Sequence, residues 1–436
     1  MSEIYKSYRT EIYPTDVQVT LMKRHLGLAR LVFNWGLKIL KDVQEYNKKH
    51  GVKAHFPSSI TLSKMWTQVK DDEFPWVNEL GRMPVTFALN NLWFGVERFF
   101  ERCQDPSIKQ KGFPKFKSRK NDVNSFTSQG ANKQKKVYTK GGYSHINIPC
   151  IGNVKLSQRD YLPLDRKLIE ITVSLKANRW FVSVLVKETI VPTVPKNEFV
   201  GVDLNIGDIV TSNGDRYTNP KPFTRAEDKL ARQQRRLKRK KFNSENYKKQ
   251  KVKVQQIHLD ISNQRNDFLH KTTSKIVGDT QVIILEDLSV KNMMSNHCLA
   301  KTIQDVGFYE FRRQIEYKAR WHGREVIIAD RWFPSSKTCS NCGFKDEKLT
   351  LKDREFRCPC CKLKIDRDLN ASFNLASIYL KKQYPGMDSF EILNKDTVGF
   401  TGINASGDGS SSSSVVNLDS PSLNEESSRA LKALQS

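Results

Sequence analysis

The chain has 436 residues, of which 38% are hydrophobic, and its 73 lysine and arginine residues against 47 acidic ones give a net charge of +26. A chain of this length is expected to form two to four domains. A positive charge of this size indicates a polyanionic partner, and nucleic acid is the first candidate. The N-terminus lacks an apolar leader, and no apolar run approaches the roughly 18 residues that cross a bilayer, so we expect a cytoplasmic protein without a membrane partner.

The N-terminal part of the chain combines strand and helix patterns. Residues 1–15 alternate as a strand does, and 16–107 have the apolar spacing of amphipathic helices, with Asp16 as the expected N-cap of the first helix. Residues 108–195 form short alternating segments between glycine, asparagine and lysine turns, which is typical of a small β-barrel. We therefore predict a β-barrel with a helical domain inserted into it.

A second pattern begins near Phe199 and alternates strands with helices. FVGVDLNIGDIVTSNGDRY predicts two antiparallel strands, and a long helical stretch follows from Thr224 to about Gly278. QVIILEDL is apolar without alternation, which favours a strand that is buried on both faces. A helix that ends at Gly323, the strand REVIIAD, a cysteine cluster and a last helix complete this α/β part. The serine-rich, acidic segment 386–436 is predicted to be disordered.

Five of the eight cysteines fall within one short segment. Cys339 and Cys342 form one C-x-x-C pair, Cys358 and Cys361 form another, and fifteen residues separate the two pairs. Two such turns can aim four thiolates at one point and close a tetrahedral zinc site without an open position, so the zinc is expected to be structural. Cys360 is an alternative to Cys361 as the fourth ligand.

Three acidic residues stand out by their order along the chain and by the segments in which they occur. Asp203 lies in the first predicted strand of the α/β part, Glu286 ends the buried strand, and Asp368 begins the last helix. This order is the RNase H layout, in which the carboxylates meet at one edge of a sheet. Carboxylates gathered there can hold two Mg²⁺ ions that activate a water and stabilise the leaving oxygen of a phosphodiester.

The start of the long helical stretch is strongly basic. Residues 225–253 hold thirteen lysine or arginine residues and three acidic ones. The acids are too few to neutralise a solvated helix, so contact with phosphates is favoured over internal ion pairing. The residues expected to contact nucleic acid are Arg232, Arg235, Arg236 and Arg239.

Several motifs together resemble the transposon-encoded TnpB family, which is related to the type V CRISPR effector nucleases. They are GVDLNIG, VIILEDLSV, RWFPSSKTCSNCG, the second C-x-x-C and DRDLNASFNLA, and the likeness extends to about residue 385. The resemblance implies a RuvC/RNase H-like nuclease domain formed by 196–334 and 364–385, with a zinc ribbon that binds target nucleic acid, 335–363, inserted into it. It also implies that 1–15 and 108–195 form a wedge-like barrel and that 16–107 form a recognition domain.

The resemblance also implies the catalytic residues of the nuclease. Its metal-binding acids map onto Asp203, Glu286 and Asp368, which would hold catalytic Mg²⁺. Asp366 is the alternative to Asp368, but the motif places the ligand directly before Leu-Asn-Ala. All three acids are present, which argues against the nuclease-dead relatives of the family.

The partners follow from the same resemblance. Members of the family cut double-stranded DNA at sites that pair with a guide RNA derived from the transposon end, beside a short flanking motif. The protein would therefore act on DNA in the prokaryotic nucleoid. A transposase that performs strand transfer and a non-catalytic RNA-guided regulator are the alternatives. The sequence leaves the oligomeric state open, although a monomer is favoured.

Overall fold

The structure, a computed structural model, describes residues 2–383 apart from 109, 120–123, 130–136, 141, 164–165 and 351–352. The segment predicted to be disordered, 386–436, lies outside the described residues. Among the helices that are described, none is both long and apolar enough to cross a lipid bilayer.

The N-terminal part begins with a strand that is followed by helices and then by further strands. Its helices are α1 (Asp16–His50), α2 (Ser59–Glu73) and α3 (Met83–Gln104), and a 3₁₀ turn covers Pro75–Glu79. Its strands are β1 (Ser2–Tyr13), β2 (Asn124–Gln129), β3 (Val137–Lys140), β4 (Tyr143–Ile148), β5 (Gly152–Leu156), β6 (Leu168–Lys176) and β7 (Arg179–Ile190). These strands form one antiparallel sheet in the order β2-β6-β7-β1-β5-β4-β3.

The helices of this part pack against its sheet. Leu28, Val32 and Leu89 are fully buried where α1 meets α3, and they share one core with strand residues such as Val154 and Val182. Among the described strands the sheet runs from β2 at one edge to β3 at the other. The predicted strand-rich region with inserted helices is present, and the closure of the sheet into a barrel stays a prediction.

The first helix begins one residue earlier than expected. Thr15 is the N-cap of α1: its side chain accepts a hydrogen bond from the Gln18 backbone, and the Gln18 side chain accepts one from the Thr15 backbone. The prediction that Asp16 is the cap was wrong because this reciprocal capping box satisfies two free N–H groups. Asp16 occupies the first helical position, where its charge favours the positive end of the helix dipole.

The second part of the chain forms a mixed sheet flanked by helices. Its strands are β8 (Asn197–Leu204), β9 (Asp208–Thr211), β10 (Arg216–Thr218), β11 (Thr280–Leu285) and β12 (Glu325–Ile328), with a hairpin of β13 (Glu355–Arg357) and β14 (Lys364–Asp366) beyond them. Its helices are α4 (Pro222–Lys238), α5 (Glu245–Asp279), α6 (Val290–Met294), α7 (His297–Val306), α8 (Phe308–His322) and α9 (Arg367–Gln383). The sheet order is β10-β9-β8-β11-β12, in which β8, β9 and β10 are antiparallel and β8, β11 and β12 are parallel.

Two details of this part differ from the sequence prediction. The segment predicted as two strands contains three, because a turn with a positive φ at Gly214 adds β10 to the antiparallel run. The single helical stretch is two helices, because Asn243 adopts a left-handed conformation and the Ser244 side chain caps α5. The helices α4 and α5 then pack together through Leu230 and Ile257.

Candidate active site and cysteine cluster

Two of the predicted acids lie side by side at one edge of the mixed sheet. Asp203 is in β8, and Glu286 directly follows β11. The strands are parallel and Leu285 pairs with Val202, so the next residues along each strand are neighbours. Asp203 is only 8% exposed, which is unusual for a carboxylate.

The third acid reaches the same edge because α9 packs closely on β8. A Cβ at Gly201 would lie 2.1 Å from the Ser372 carbonyl oxygen, so only glycine permits this approach. Asp368 in the first turn of α9 is buried, and the Asn205 side chain donates a hydrogen bond to it over 2.7 Å. The Arg367 guanidinium is 3.2 Å from the other oxygen of Asp368. The fold thus brings the three predicted acids together in one cleft.

Burial disfavours the charged forms of Asp203 and Glu286 in the cleft. Burial, together with the nearby charges of Glu286 and Asp368, raises the pKa of Asp203 well above its usual value. Burial also raises the pKa of Glu286, although a hydrogen bond donated by the Ser335 hydroxyl opposes this effect. A positive ion bound between these groups would stabilise their charged forms.

We expect Asp203→Asn to raise the thermal stability of the metal-free protein at neutral pH. A carboxyl whose folded pKa is raised binds more protons in the folded state, so the free energy of unfolding falls as pH rises from about 4 through the folded pKa. The wild-type melting temperature in EDTA should therefore fall across this window by about 2–4 °C for each kcal/mol that is lost, and that of the variant should fall less. Parallel pH profiles for the two proteins would contradict this prediction.

Nearby acids have structural roles in this arrangement. The Asp366 side chain accepts hydrogen bonds from the backbone of Asp368 and Leu369, each over 3.0 Å, and lies 3.1 Å from a nitrogen of Arg216. Asp287 forms ion pairs with Arg312 and Arg331. Asp366 thus caps α9, and this contact favours Asp368 over Asp366 as the residue that faces the cleft.

The four predicted zinc ligands converge at one point. All four Sγ atoms lie within 4.8 Å of one another, and two of the sulfur pairs are 3.5 and 3.6 Å apart. The cysteines are Cys339, Cys342, Cys358 and Cys361. Zn–S bonds of about 2.3 Å in a tetrahedron place sulfurs about 3.8 Å apart, so the site fits zinc. Cys360 is exposed and is not a member of this cluster.

Two asparagines of α9 tie the cysteine cluster to the acidic edge. Asn370 accepts a hydrogen bond from the Ser340 backbone and donates one to the Thr338 carbonyl. Asn374 donates hydrogen bonds to the carbonyls of Thr338 and Ser335. Because the Ser335 hydroxyl in turn donates to Glu286, a continuous set of hydrogen bonds joins the first cysteine turn to the active-site edge.

The predicted basic residues lie on the outside of the helical pair. The side chains of all four are exposed, and in the part of the chain that the structure describes none of them forms an ion pair with an acid: Arg232, Arg235, Arg236 and Arg239. The packed face of α4 is the opposite one, which carries Leu230 and Leu237. This arrangement presents a row of uncompensated positive charge to the solvent.

Sequence reasoning missed the residues that hold the acids in place. Asn205, Ser335 and Arg367 contact the acids directly. Asn370 and Asn374, which bind the cysteine segment, did carry a sequence signal. Their spacing of four residues puts both side chains on one face of a helix. Asn205 and Ser335 come from loops, whose contacts depend on the fold.

Comparison with known proteins identifies the family. A model of the IS605 OrfB family, described as "Probable transposase", matches residues 181–297, and a model described as "Cas12f1-like, TNB domain" matches 308–375. A Streptomyces pristinaespiralis protein named "Putative RNA-guided DNA endonuclease" is 35% identical over 86% of this chain and 89% of its own length. An Escherichia coli protein named "Putative RNA-guided DNA endonuclease InsQ" is 28% identical over 85% of this chain and 91% of its own length. The chain belongs to the TnpB family.

Two further matches are a solved structure and a third family model. A cryo-EM structure of a Cas12f1–sgRNA–target DNA complex aligns with 13% identity and a TM-score of 0.43, over 86% of this chain and 99% of the other. A model described as "Helix-turn-helix domain" matches residues 1–49. In this structure those residues form β1 and nearly all of the single long helix α1.

Proposed function

We propose that the protein is an RNA-guided DNA endonuclease of an IS605-type transposon that cuts DNA by metal-dependent phosphodiester hydrolysis beside a short flanking motif. The observation that carries the proposal is the meeting of Asp203, Glu286 and Asp368 at one sheet edge. The 35% identical relative, whose name gives this activity, supports it. Such a protein acts where its DNA is, in the cytoplasm and nucleoid of a prokaryote.

The proposed nuclease domain is RuvC/RNase H-like and comprises 196–334 and 364–385. Three antiparallel strands followed by two parallel ones, in the order β10-β9-β8-β11-β12, support this assignment. The same proposal assigns 1–15 and 108–195 to a wedge-like domain, 16–107 to a recognition domain and 335–363 to a zinc ribbon. The ribbon is then an insertion between β12 and α9 of the nuclease domain.

The proposed catalytic cofactor is Mg²⁺, held by Asp203, Glu286 and Asp368. Oxygen ligands suit this ion, which also keeps several of its own waters. Among the described residues, the cysteines are the one group of three or more metal-ligating side chains whose ligand atoms converge, and the carboxylates instead line a cleft of about 260 Å³. When bound, Mg²⁺ would lower the pKa of a water and stabilise the leaving oxygen.

The four cysteines are proposed to bind a structural zinc ion. Four sulfur ligands leave no open position, so the ion would have no role in the hydrolysis. Zinc would instead fix the first cysteine turn, to which Asn370 and Asn374 attach α9. Asp368 begins that same helix.

The proposed RNA partner is a guide derived from the transposon end, and the exposed arginines of α4 would contact the phosphates of the guide or of the guide–target duplex. We expect that changing all four to glutamine will weaken RNA binding and lower the slope of log affinity against log salt by up to about 3.6, because each duplex phosphate contact contributes about 0.9. Filter binding across a salt series measures both quantities.

A matched control removes the same number of charges elsewhere. It changes four cations that already pair with acids to glutamine: Lys187, Lys271, Arg313 and Lys382. Equal losses in the two quadruple variants would mean that net charge alone, and not this surface of α4, binds the RNA.

The function itself is tested by purifying the protein with its co-expressed RNA. Sequencing that RNA should reveal a transcript from the transposon end, and the complex should cut a plasmid that carries a matching target when Mg²⁺ is present. Tight DNA binding without cutting would support the regulator instead. Joining of transposon ends to new DNA by the protein would support the transposase.

A further inference from the structure

Trp332 is an exposed aromatic residue beside the acidic cleft. It lies on the loop between β12 and the cysteine cluster, and its side chain is 85% exposed. The residues on either side of it, Arg331 and Phe333, both line the cleft that contains the three acids. The structure therefore holds a large, solvent-exposed ring next to the proposed reaction site.

The loop that carries Trp332 is held in place on both sides. The backbone N–H of Trp332 donates a hydrogen bond to the Asp330 carboxylate over 2.8 Å, and the Arg331 guanidinium donates one to Asp287 over 3.0 Å. Phe333 packs against the core between the sheet and α9, and Ser335 bonds to Glu286. The exposure of the indole is thus a property of an ordered loop, which reduces the entropy lost when a ligand binds.

The cleft that contains the acids is small, which favours an unpaired strand over a duplex. Asp203 and Asp368 are only 8% and 7% exposed, at the base of a cleft of about 260 Å³. A single strand can enter, but its bases then lose their stacking partners.

An exposed aromatic ring beside such a cleft can replace a lost stacking partner. Stacking between a base and an aromatic side chain is worth about 1–3 kcal/mol and is tolerant of sequence, because every base has a flat face. Among the described aromatic residues, Trp332 stacks on no other ring of the protein. Its face is therefore available to a base.

We propose that Trp332 stacks on an unpaired base of the DNA strand that enters the acidic cleft and so holds a phosphodiester against Asp203, Glu286 and Asp368. The inference rests on the proposed nuclease function, and it adds a substrate-binding residue. Because stacking is insensitive to base identity, Trp332 contributes to the rate of cutting and not to the choice of target.

The experiment compares single-turnover cleavage by the RNA-loaded wild type, Trp332→Ala and Trp332→Tyr at saturating enzyme. We expect the rate to fall about tenfold for alanine, within the range of about 5- to 150-fold that 1–3 kcal/mol implies. Tyrosine keeps a ring and should stay within about threefold of the wild type. RNA content, target binding and melting temperature should stay unchanged in all three.

A second substrate series separates stacking from a structural role. Single abasic nucleotides are placed at successive positions around the cut. One position should slow the wild type about as much as Trp332→Ala does and should not slow that variant further, because the two changes remove the same contact. Tyr309→Ala, which removes another exposed aromatic side chain, serves as the control and should respond to the abasic series as the wild type does.

The outcomes distinguish the two proposals. Wild-type complex that does not cut matched DNA defeats the nuclease proposal. A wild type that cuts, together with a Trp332→Ala variant that cuts equally fast, defeats only the stacking proposal. A slowed Trp332→Ala variant whose rate falls further at every abasic position also overturns it, since the tryptophan would then act without contacting a base.

Discussion

Replacing Asp368 with asparagine is expected to lower DNA cleavage at least about a thousandfold while RNA loading and target binding persist. The side chain keeps its size and one of its oxygens, but it loses the negative charge that would hold the proposed Mg²⁺. Metal-dependent stabilisation of a transition state is worth several kcal/mol, and about 4 kcal/mol corresponds to a thousandfold in rate. Asp203→Ala and Glu286→Gln should have effects of the same size, measured as cleavage of a matched plasmid with Mg²⁺.

The neighbouring acid provides a matched control. Asp366→Asn changes the same charge two residues away, but asparagine caps a helix about as well as aspartate. The exposed contact with Arg216 is worth at most about 1 kcal/mol, and its atoms are 3.1 Å apart. Asp366→Asn should therefore retain most of the activity. If Asp366→Asn abolishes cutting while Asp368→Asn preserves it, the assignment of the third acid is reversed.

The second large effect is expected from loss of zinc. Cys361→Ser removes one of the four converging thiolates, whereas Cys360→Ser changes the adjacent, exposed cysteine that lies outside the cluster. Zinc binding stabilises ribbons of this kind by very roughly 10 kcal/mol, so we expect Cys361→Ser and Cys339→Ser to lose zinc and to unfold the ribbon locally. Zinc content per chain and hydrogen exchange at the start of α9 measure both effects.

Cleavage should fall together with zinc content, although the proposed zinc would do no chemistry. Once the first cysteine turn is free, Asn374 no longer holds Ser335, and Ser335 no longer orients Glu286. Loss of such supporting contacts costs about 10- to 100-fold in activity. A Cys339→Ser variant that loses zinc and still cuts at the wild-type rate would disprove this coupling, and Cys360→Ser should behave as the wild type in both measurements.

The hydrogen bonds explain how the cysteine segment would influence the acidic cleft. The backbones of Thr338 and Ser340 are bound by α9 side chains, and Asp368 begins the same helix. The two sites are therefore joined through one helix, even though their proposed metals have different roles. Thiolates suit zinc and carboxylates suit Mg²⁺, so each metal would find its own site.

Some features followed from the sequence alone because they are local. The cysteine pairs converge as predicted, since a C-x-x-C turn aims two sulfurs at one point whatever surrounds it. The buried strand of Glu286 and the helix of Asp368 were visible as apolar patterns of the right period. The strong basic character of α4 was equally plain, because charge can be counted without a structure.

Other features depended on short-range choices that the pattern leaves open. The cap at Thr15, the break at Asn243 and the added strand β10 each follow from a local turn or cap. Asp16 and Thr15 are both good caps, and the reciprocal bond from Gln18 decides between them. Sequence patterns locate such boundaries to within a few residues only.

The sequence by itself determined the candidate ligands, their order and the charge of the protein, since each of these is a matter of residue type and spacing. Only the tertiary structure decided what holds the acids in place: the close approach at Gly201, the hydrogen bond from Asn205 and the link from Asn374 through Ser335 to Glu286. These contacts join residues that are up to about 170 positions apart in the chain. Packing alone brings such residues together, so no local pattern records them.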